Sequence, residues 1–274
     1  MKKLFKKFLQ RISGKIRYQR LFEGLHSMAI KGMNYGKGGD FRTSGELFTL
    51  GYIKKKLAGR EDIVLFDVGA HVGHYSLELS NVFTNKTIRI YSFEPSKQVY
   101  DKMLANVKNV KEIIPNNLGL SDTAATMKLF TNTNLPGLAS MYQRRLDHIG
   151  ITLSESEEIE LTTIDNFCSK HKIDNIDFLK LDVEGHEWKV LQGASKKLSE
   201  KKITFIQFEF GGCNIDSRTY FQDFYYLLKD DFDIYRIVEN GLFPISTYKE
   251  EYEIFTTINY LAERKTLFLK NERG

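Results

Sequence analysis

Residues 64–76 read Val-Leu-Phe-Asp-Val-Gly-Ala-His-Val-Gly-His-Tyr-Ser, an apolar run that stops at an acid and passes through two glycines into a helix start. The unbroken apolar stretch from Ile63 to Phe66 is that of a strand buried on both faces of a parallel sheet. Asp67 falls where such a strand reaches its carboxyl end, the edge at which open α/β sheets bind ligands. Gly69 and Gly73 have no Cβ, so the backbone can turn sharply and approach a ligand closely. The spacing is D-x-G-x-x-x-G, not G-x-G-x-x-G. A pyrophosphate needs a glycine-lined helix start without a competing negative charge, and a carboxylate at this turn repels it. The pattern suits a cationic, phosphate-free ligand. S-adenosyl-L-methionine, with its ammonium and sulfonium, has that chemistry, and methyl transfer is the first expectation.

Outward from this stretch the period alternates between strand and helix. Strands are expected at 63–67, 88–93, 111–116, 176–182, 203–209 and 232–238, with helices at 44–57, 73–83, 96–107, 163–170, 186–199 and 216–228. Further strands are expected at 255–261 and 266–269. This order predicts an α/β fold, a doubly wound Rossmann-like sheet with helices on both faces and an N-terminal helical extension. Residues 120–161 break the alternation and read as an insertion or lid with short strands near 126–130 and 158–161. The division expected is a basic segment with a glycine-rich loop, 1–44, followed by one domain, 45–274.

The second strand ends in Phe93-Glu94-Pro95-Ser96. A carboxylate there, about 20 to 30 residues beyond the first turn, can accept hydrogen bonds from both hydroxyls of a ribose. Pro95 at a first helical position gives Glu94 a competing role as a helix-entry acid. Asn117, after the third strand, is a candidate for an adenine edge or ribose, although Asn-Leu-Gly is equally a turn.

A third strand-to-helix junction, Phe178-Leu-Lys-Leu-Asp-Val-Glu-Gly-His-Glu-Trp188, gathers titratable groups. Asp182 is expected near the methyl to be transferred, with Glu184 and His186 in the turn. An acceptor hydroxyl has a high pKa, so a nearby base helps remove its proton. His186 is the candidate base, against the alternative that His186, Glu187 and Trp188 simply begin a helix. Glu209 ends the neighbouring strand among Phe205, Ile206 and Phe208, and a buried acid there is costly unless it is paired or used. With Asp182 and Glu184 it could orient a sugar hydroxyl or hold a divalent ion through oxygen ligands, but nothing in the sequence fixes a metal geometry. His71 and His74 flank Gly73 and are expected to shape the loop.

These segments resemble the FkbM family of S-adenosylmethionine-dependent methyltransferases over roughly residues 45–263. Phe66-Asp-Val-Gly-Ala-His-Val-Gly73, Phe93-Glu-Pro95 and Lys180-Leu-Asp-Val-Glu-Gly-His-Glu187 carry the likeness, the last resembling a D-x-E-G-x-E signature. Ile164-Asp-Asn-Phe167 and Asn259-Tyr-Leu-Ala262 add to it. The resemblance implies O-methylation of a small-molecule or saccharide hydroxyl, with Asp67, Gly69, Gly73 and Glu94 at the methyl donor. His71 stands where an asparagine is frequent. The donor-binding candidates are thus Asp67, Gly69, Ala70, His71, Gly73, Ser76, Glu94, Pro95, Asn117 and Asp182, and the catalytic candidates are His186, Asp182, Glu184 and Glu209. A nicotinamide-dependent oxidoreductase on the same sheet, and a noncatalytic membrane-associated binding protein, are the alternatives.

Composition narrows the setting. The chain has 274 residues, a net charge of +5, four prolines and two cysteines without metal-ligand spacing. Reduced structural thiols are expected, not a disulfide or zinc framework. No stretch has the roughly 18 to 20 apolar residues of a membrane span, and residues 1–20 lack a signal-peptide core, so cytoplasmic residence is the expectation. Those residues carry eight bases and no acid, with Leu4, Phe5, Phe8, Leu9, Ile12 and Ile16 at helical spacing. Such a helix either lies on an anionic membrane or packs its stripe on the domain. Bases confined to one end argue against nucleic acid.

Overall fold

The structure is a computed structural model and describes residues 10–37, 41, 43–84, 86–132 and 134–265. Helices α1 (Gln19–Gly32) and α2 (Glu46–Lys56) precede β1 (Asp62–Val68), α3 (His74–Val82), β2 (Thr87–Phe93), α4 (Lys97–Val107) and β3 (Ile113–Asn116). Strands β4 (Gly119–Leu120), β5 (Ala125–Thr131) and β6 (Glu155–Thr162) follow, then α5 (Ile164–His171), β7 (Ile176–Leu181), α6 (Glu187–Gln192), α7 (Ser195–Ser199) and β8 (Ile203–Phe210). The chain continues through α8 (Cys213–Ser217), α9 (Phe221–Leu228), β9 (Phe232–Val238), β10 (Gly241–Pro244) and β11 (Ile258–Arg264). The main sheet has eight strands in the order β3-β2-β1-β7-β8-β11-β9-β10. Its first five are parallel, and β11 is inserted antiparallel to both β8 and β9.

Alternation along β1 divides the core between the two faces. Ile63 and Leu65 pack with Leu50 and Ile53 of α2, Leu79 of α3 and Met103 of α4. Val64, Phe66 and Val68 pack with Phe167 of α5, Val190 of α6 and Phe224 of α9. Burial on both sides explains why the strand reads as a continuous apolar run. One register breaks it. Ser92, Asp67, Lys180 and Gln207 lie side by side on β2, β1, β7 and β8, all buried. This polar row ends the core on the α2 and α3 face and starts the site.

Several expected elements differ in detail. Residues 120–161 are better ordered than an irregular lid, since β4, β6 and β5 form a second sheet. The helix expected at 186–199 is two, because Gly193 lies so close to the chain at Ser121 that a Cβ there would meet its carbonyl oxygen at 1.9 Å. The helix expected at 216–228 likewise divides into α8 and α9, and the last strand begins at Ile258, not 255. Residues 266–269 lie outside the described residues, as do 1–9. From Gln10 the basic segment is helical only to Ile12 and turns at Gly14, where φ is +72°. Ile12 is buried whereas Ile16 is 90% exposed, so these two members of the expected stripe do not share an environment. Both cysteines are free and buried. No helix among the described residues is long and apolar enough to cross a membrane.

Candidate active site at the carboxyl edge of the sheet

The turn after β1 is built on left-handed backbone. Gly69 has φ +83°, and a Cβ there would lie 1.8 Å from the Asp182 carbonyl oxygen. The Gly69 and Ala70 N–H groups both donate to the Phe93 carbonyl, at 3.0 and 2.9 Å, tying the turn to the end of β2. His71 adopts φ +49° without being glycine, strain that is characteristic of functional turns. Gly73, φ +87°, caps α3 where a side chain would strike Val107. Asp67 is wholly buried beneath this turn. Its Oδ2 accepts from Ser76 Oγ at 2.6 Å, and the same hydroxyl is 2.7 Å from Ser92 Oγ. Burial raises the Asp67 pKa, and Lys180 opposes the rise. Asp67 and Ser76 thus support the turn from below and line neither of the cavities described next.

A cavity of about 240 Å³ opens above the turn between Val68, Gly69, His71, Glu94, Pro95, Leu118, Asp182 and Glu184, roofed by Leu129 of the second sheet and by Ala139 and Met141 beside the Phe130–Ser140 bridge. Glu94 is fixed in its wall. One carboxylate oxygen accepts the His71 N–H and the other the Ser96 N–H, each at 3.0 Å. Burial raises its pKa to about 7 despite those two bonds. Asn117 lies just outside the cavity lining. Its amide donates to the carbonyls of Glu94 and Pro95 at 3.0 and 2.9 Å, so its donors are used in holding that backbone.

A second cavity of about 710 Å³ shares Gly69, His71 and Asp182 with the first and extends over Ala70, His74, Tyr75, Lys180 and Glu46. Of the polar row, Lys180 reaches its lining. Lys180 Nζ lies 2.9 Å from Asp182 Oδ2 and over the Tyr75 ring at 4.4 Å. Burial disfavours its charge, yet Asp182, Asp67 and Glu46 together hold its pKa above the ordinary lysine value. Glu46 accepts from Gln207 Nε2 at 2.8 Å, and Tyr75 OH donates to the Gln207 carbonyl at 3.3 Å. The sequence reading assigned no role to Glu46, Tyr75, Lys180 or Gln207. A lysine and a glutamine within otherwise apolar strands were the available signal.

The loop after β7 explains the D-x-E-G-x-E pattern. Glu184 and Gly185 have φ +51° and +102°. The buried Glu187 carboxylate accepts the N–H groups of Val183 and Gly185 at 2.9 and 3.3 Å, pinning that strained turn from within. Burial raises Glu187 to about 8. Glu184 projects to the cavity, paired with Arg144, while Ser140 Oγ donates to its carbonyl at 2.8 Å. Burial and then Asp182 raise Glu184 to about 7 against the pull of Arg144. His186 is placed elsewhere. It is buried with Nε2 2.9 Å from Ser121 Oγ and Nδ1 3.0 Å from Tyr142 OH, and it lines neither cavity. Burial lowers its pKa to about 4. Both ring nitrogens are therefore committed, which removes the geometric basis for His186 as base. The residues that hold it, Ser121 and Tyr142, come from distant segments without a sequence signature.

Glu209 does reach this edge. One ligand atom each from Glu184, Glu209 and Cys213 lie within 4.8 Å of one another. Burial, followed by Asp182, Glu184 and Glu187, pushes the Glu209 pKa well above the usual carboxylate value. The pairing of Glu184 with Arg144 places a competing cation beside this group, so the residues do not form a ready metal site.

The family model for the FkbM methyltransferase domain matches residues 67–234, from the acid of the first turn to β9. The chain belongs to this family. By its description that family is one of methyltransferases. The chain is 24% identical over 152 residues to the hexuronic acid methyltransferase AglP of Haloferax volcanii, covering 55% of this chain and 58% of that protein. It is 25% identical over 162 residues to the methyltransferase sdnD of Sordaria araneosa, covering 48% and 61%. The chain thus spans less than two thirds of the length of these relatives. Among solved structures, an FkbM methyltransferase from Methylobacillus flagellatus aligns with a TM-score of 0.43 and 18% identity over 73% of this chain and 44% of that one. M. capricolum TrmK bound to S-adenosylhomocysteine aligns with a TM-score of 0.41 and 13% identity over 80% and 69%. The sheet described above is the doubly wound α/β sheet that the sequence predicts.

Proposed function

We propose that the protein transfers the methyl group of S-adenosyl-L-methionine to a hydroxyl of a saccharide or another small polyhydroxylated molecule. The observation that carries this reading is Glu94, an acid held in the cavity wall by two backbone N–H groups. A carboxylate so fixed suits a ribose diol and opposes a phosphate. Gly69, without a Cβ, lets the Asp182 backbone close against the turn at the cavity wall. The acids Glu46, Glu78, Glu94, Asp182 and Glu184 outnumber Lys180 in the lining of the two cavities, which favours a cationic donor. The donor supplies a methyl carbon already activated as a sulfonium.

Within this reading Glu94 and the Gly69–Gly73 turn hold the nucleoside, and Asp182 with Lys180 borders the passage between the cavities. Glu184, which lines the first cavity, receives the acceptor. The hydroxyl oxygen forms the new bond to carbon as the carbon–sulfur bond breaks, and the hydroxyl proton passes to the Glu184 carboxylate, whose pKa of about 7 keeps it partly ionised near neutrality. Positioning alone is worth about 7 to 11 kcal/mol in such displacements. The acceptor of the Haloferax volcanii relative, a hexuronic acid by its name, supports a saccharide acceptor here.

Calorimetric titration with S-adenosylmethionine, S-adenosylhomocysteine and NAD tests the donor. Binding of the first two, weakened in Glu94→Gln, is expected; binding of NAD alone overturns the reading. Transfer of labelled methyl to a panel of neutral and uronic saccharides then tests the acceptor. Alkali-stable label marks an ether at a hydroxyl, and alkali-labile label would mark a carboxyl ester and overturn the hydroxyl assignment.

A further inference from the structure

Helix α1 buries none of its fourteen residues. Leu21, Leu25 and Met28, spaced i, i+4 and i+7 on one face, are 51%, 43% and 64% exposed, and Ile16 in the preceding turn is 90% exposed. A helix this short gains little stability by itself in water, and an apolar stripe facing solvent is the mark of a surface that meets something. The adjoining face is basic. Arg11, Lys15, Arg17, Arg20 and Lys31 are exposed, and Glu23 is the one acid between residues 10 and 37. Among the described residues no carboxylate is paired with any of those five bases.

The helix is nevertheless held firmly at its carboxyl end. Tyr35 is buried with its hydroxyl 3.3 Å from that of Tyr260, Asn34 Nδ2 donates to the carbonyls of Ser44 and Ile237, and the Gly36 N–H donates to Thr257 at 2.8 Å. Thr257 in turn lies against Gly211, two residues beyond Glu209. The stripe is thus presented from a rigid anchor at the same edge of the sheet as the site.

We propose that the Leu21, Leu25 and Met28 face of α1 docks on an anionic lipid surface, with Arg17, Arg20 and Lys31 against the headgroups. A second copy of the chain is disfavoured, because two such faces would bring like charges together. A nucleic acid would satisfy the bases and leave the apolar stripe in water. An anionic bilayer boundary satisfies both. The inference is independent of the acceptor and of methyl transfer.

The test is flotation of the full-length protein with vesicles of phosphatidylcholine alone or mixed with phosphatidylglycerol, without donor or acceptor. Co-flotation with the anionic vesicles only, reduced by salt, is expected. A Leu21→Ser/Leu25→Ser/Met28→Ser variant and an Arg17→Glu/Arg20→Glu variant should each weaken it by roughly tenfold or more, with thermal unfolding unchanged. Equal binding to both vesicles, or undiminished binding by either variant, overturns the proposal. So does absence of flotation accompanied by concentration-dependent dimerisation in light scattering, which would assign the face to a second copy.

Discussion

The hydroxyl of Tyr142 lies 3.0 Å from Nδ1 of His186, and this contact makes a histidine inside the D-x-E-G-x-E turn a strut between the β7 loop and the segment that follows the Phe130–Ser140 bridge. Burial holds His186 down to about 4, against 6.5 for a free imidazole. The unfolded chain therefore takes up a proton between those values that the folded chain does not, so this residue makes stability fall as pH drops from 6.5 towards 4. His186→Gln should flatten that part of a pH-dependent urea titration. His186→Ala should cost about 2–4 kcal/mol of stability, while the pH profile of kcat in the surviving folded enzyme keeps its shape. A lost limb in that profile would restore His186 as a base.

Glu94 should control donor affinity through its own ionisation. Its pKa of about 7 means that the free protein is half protonated near neutrality. Two donated hydroxyls favour the carboxylate, so binding of S-adenosylhomocysteine should release a proton near pH 7, strengthen as pH rises to that value and level off above it. Calorimetry in buffers of different ionisation enthalpy reads the proton count. Glu94→Gln should weaken binding roughly ten- to hundredfold and abolish this pH dependence.

Glu184→Gln should separate chemistry from donor binding. Removal of the proton acceptor is expected to lower kcat by a factor on the order of 10²–10⁴, with affinity for S-adenosylhomocysteine nearly unchanged. Single-turnover kinetics with saturating donor and acceptor make the comparison. Full turnover in this variant would show that positioning suffices.

Glu187 should behave as part of the backbone. Its carboxylate satisfies two N–H groups of a turn held at positive φ by Glu184 and Gly185. Glu187→Ala leaves both donors buried and unsatisfied, a loss of about 2–4 kcal/mol, read by denaturant unfolding. Glu187→Gln keeps one accepting oxygen and should lose less. Equal losses in the two variants would indicate that side-chain volume, not the hydrogen bonds, holds the turn.

The features legible in the sequence were those that act locally. Val64 to Phe66 declared a doubly buried strand, and Glu94 sat at a strand end where any carboxylate is conspicuous. Gly69 was readable as a turn, although not that its missing Cβ makes room for the Asp182 carbonyl, because that contact joins β1 to a loop more than a hundred residues later. His186 misled for the same reason. Its titratable ring suggested chemistry, while the partners that neutralise it, Ser121 and Tyr142, lie 65 and 44 residues away. Lys180 was in plain view within an apolar strand, yet its meaning depends on Glu46 from a helix that precedes the sheet.

The row from Ser92 through Asp67 and Lys180 to Gln207 also bears on how the chain reaches this structure at all. A one-residue slip of β7 against β1 would turn Lys180 to the opposite face, among Phe66, Phe93 and Phe167 with no counter-charge, and set a leucine against Asp67. Parallel strands rich in Val, Ile, Leu and Phe offer few other reasons to prefer one alignment over its neighbours. The ionic contacts that hold Lys180 at the cavity lining therefore act as a spelling check on strand pairing: the nearest misaligned sheet is one in which the charges of the site have nowhere to go.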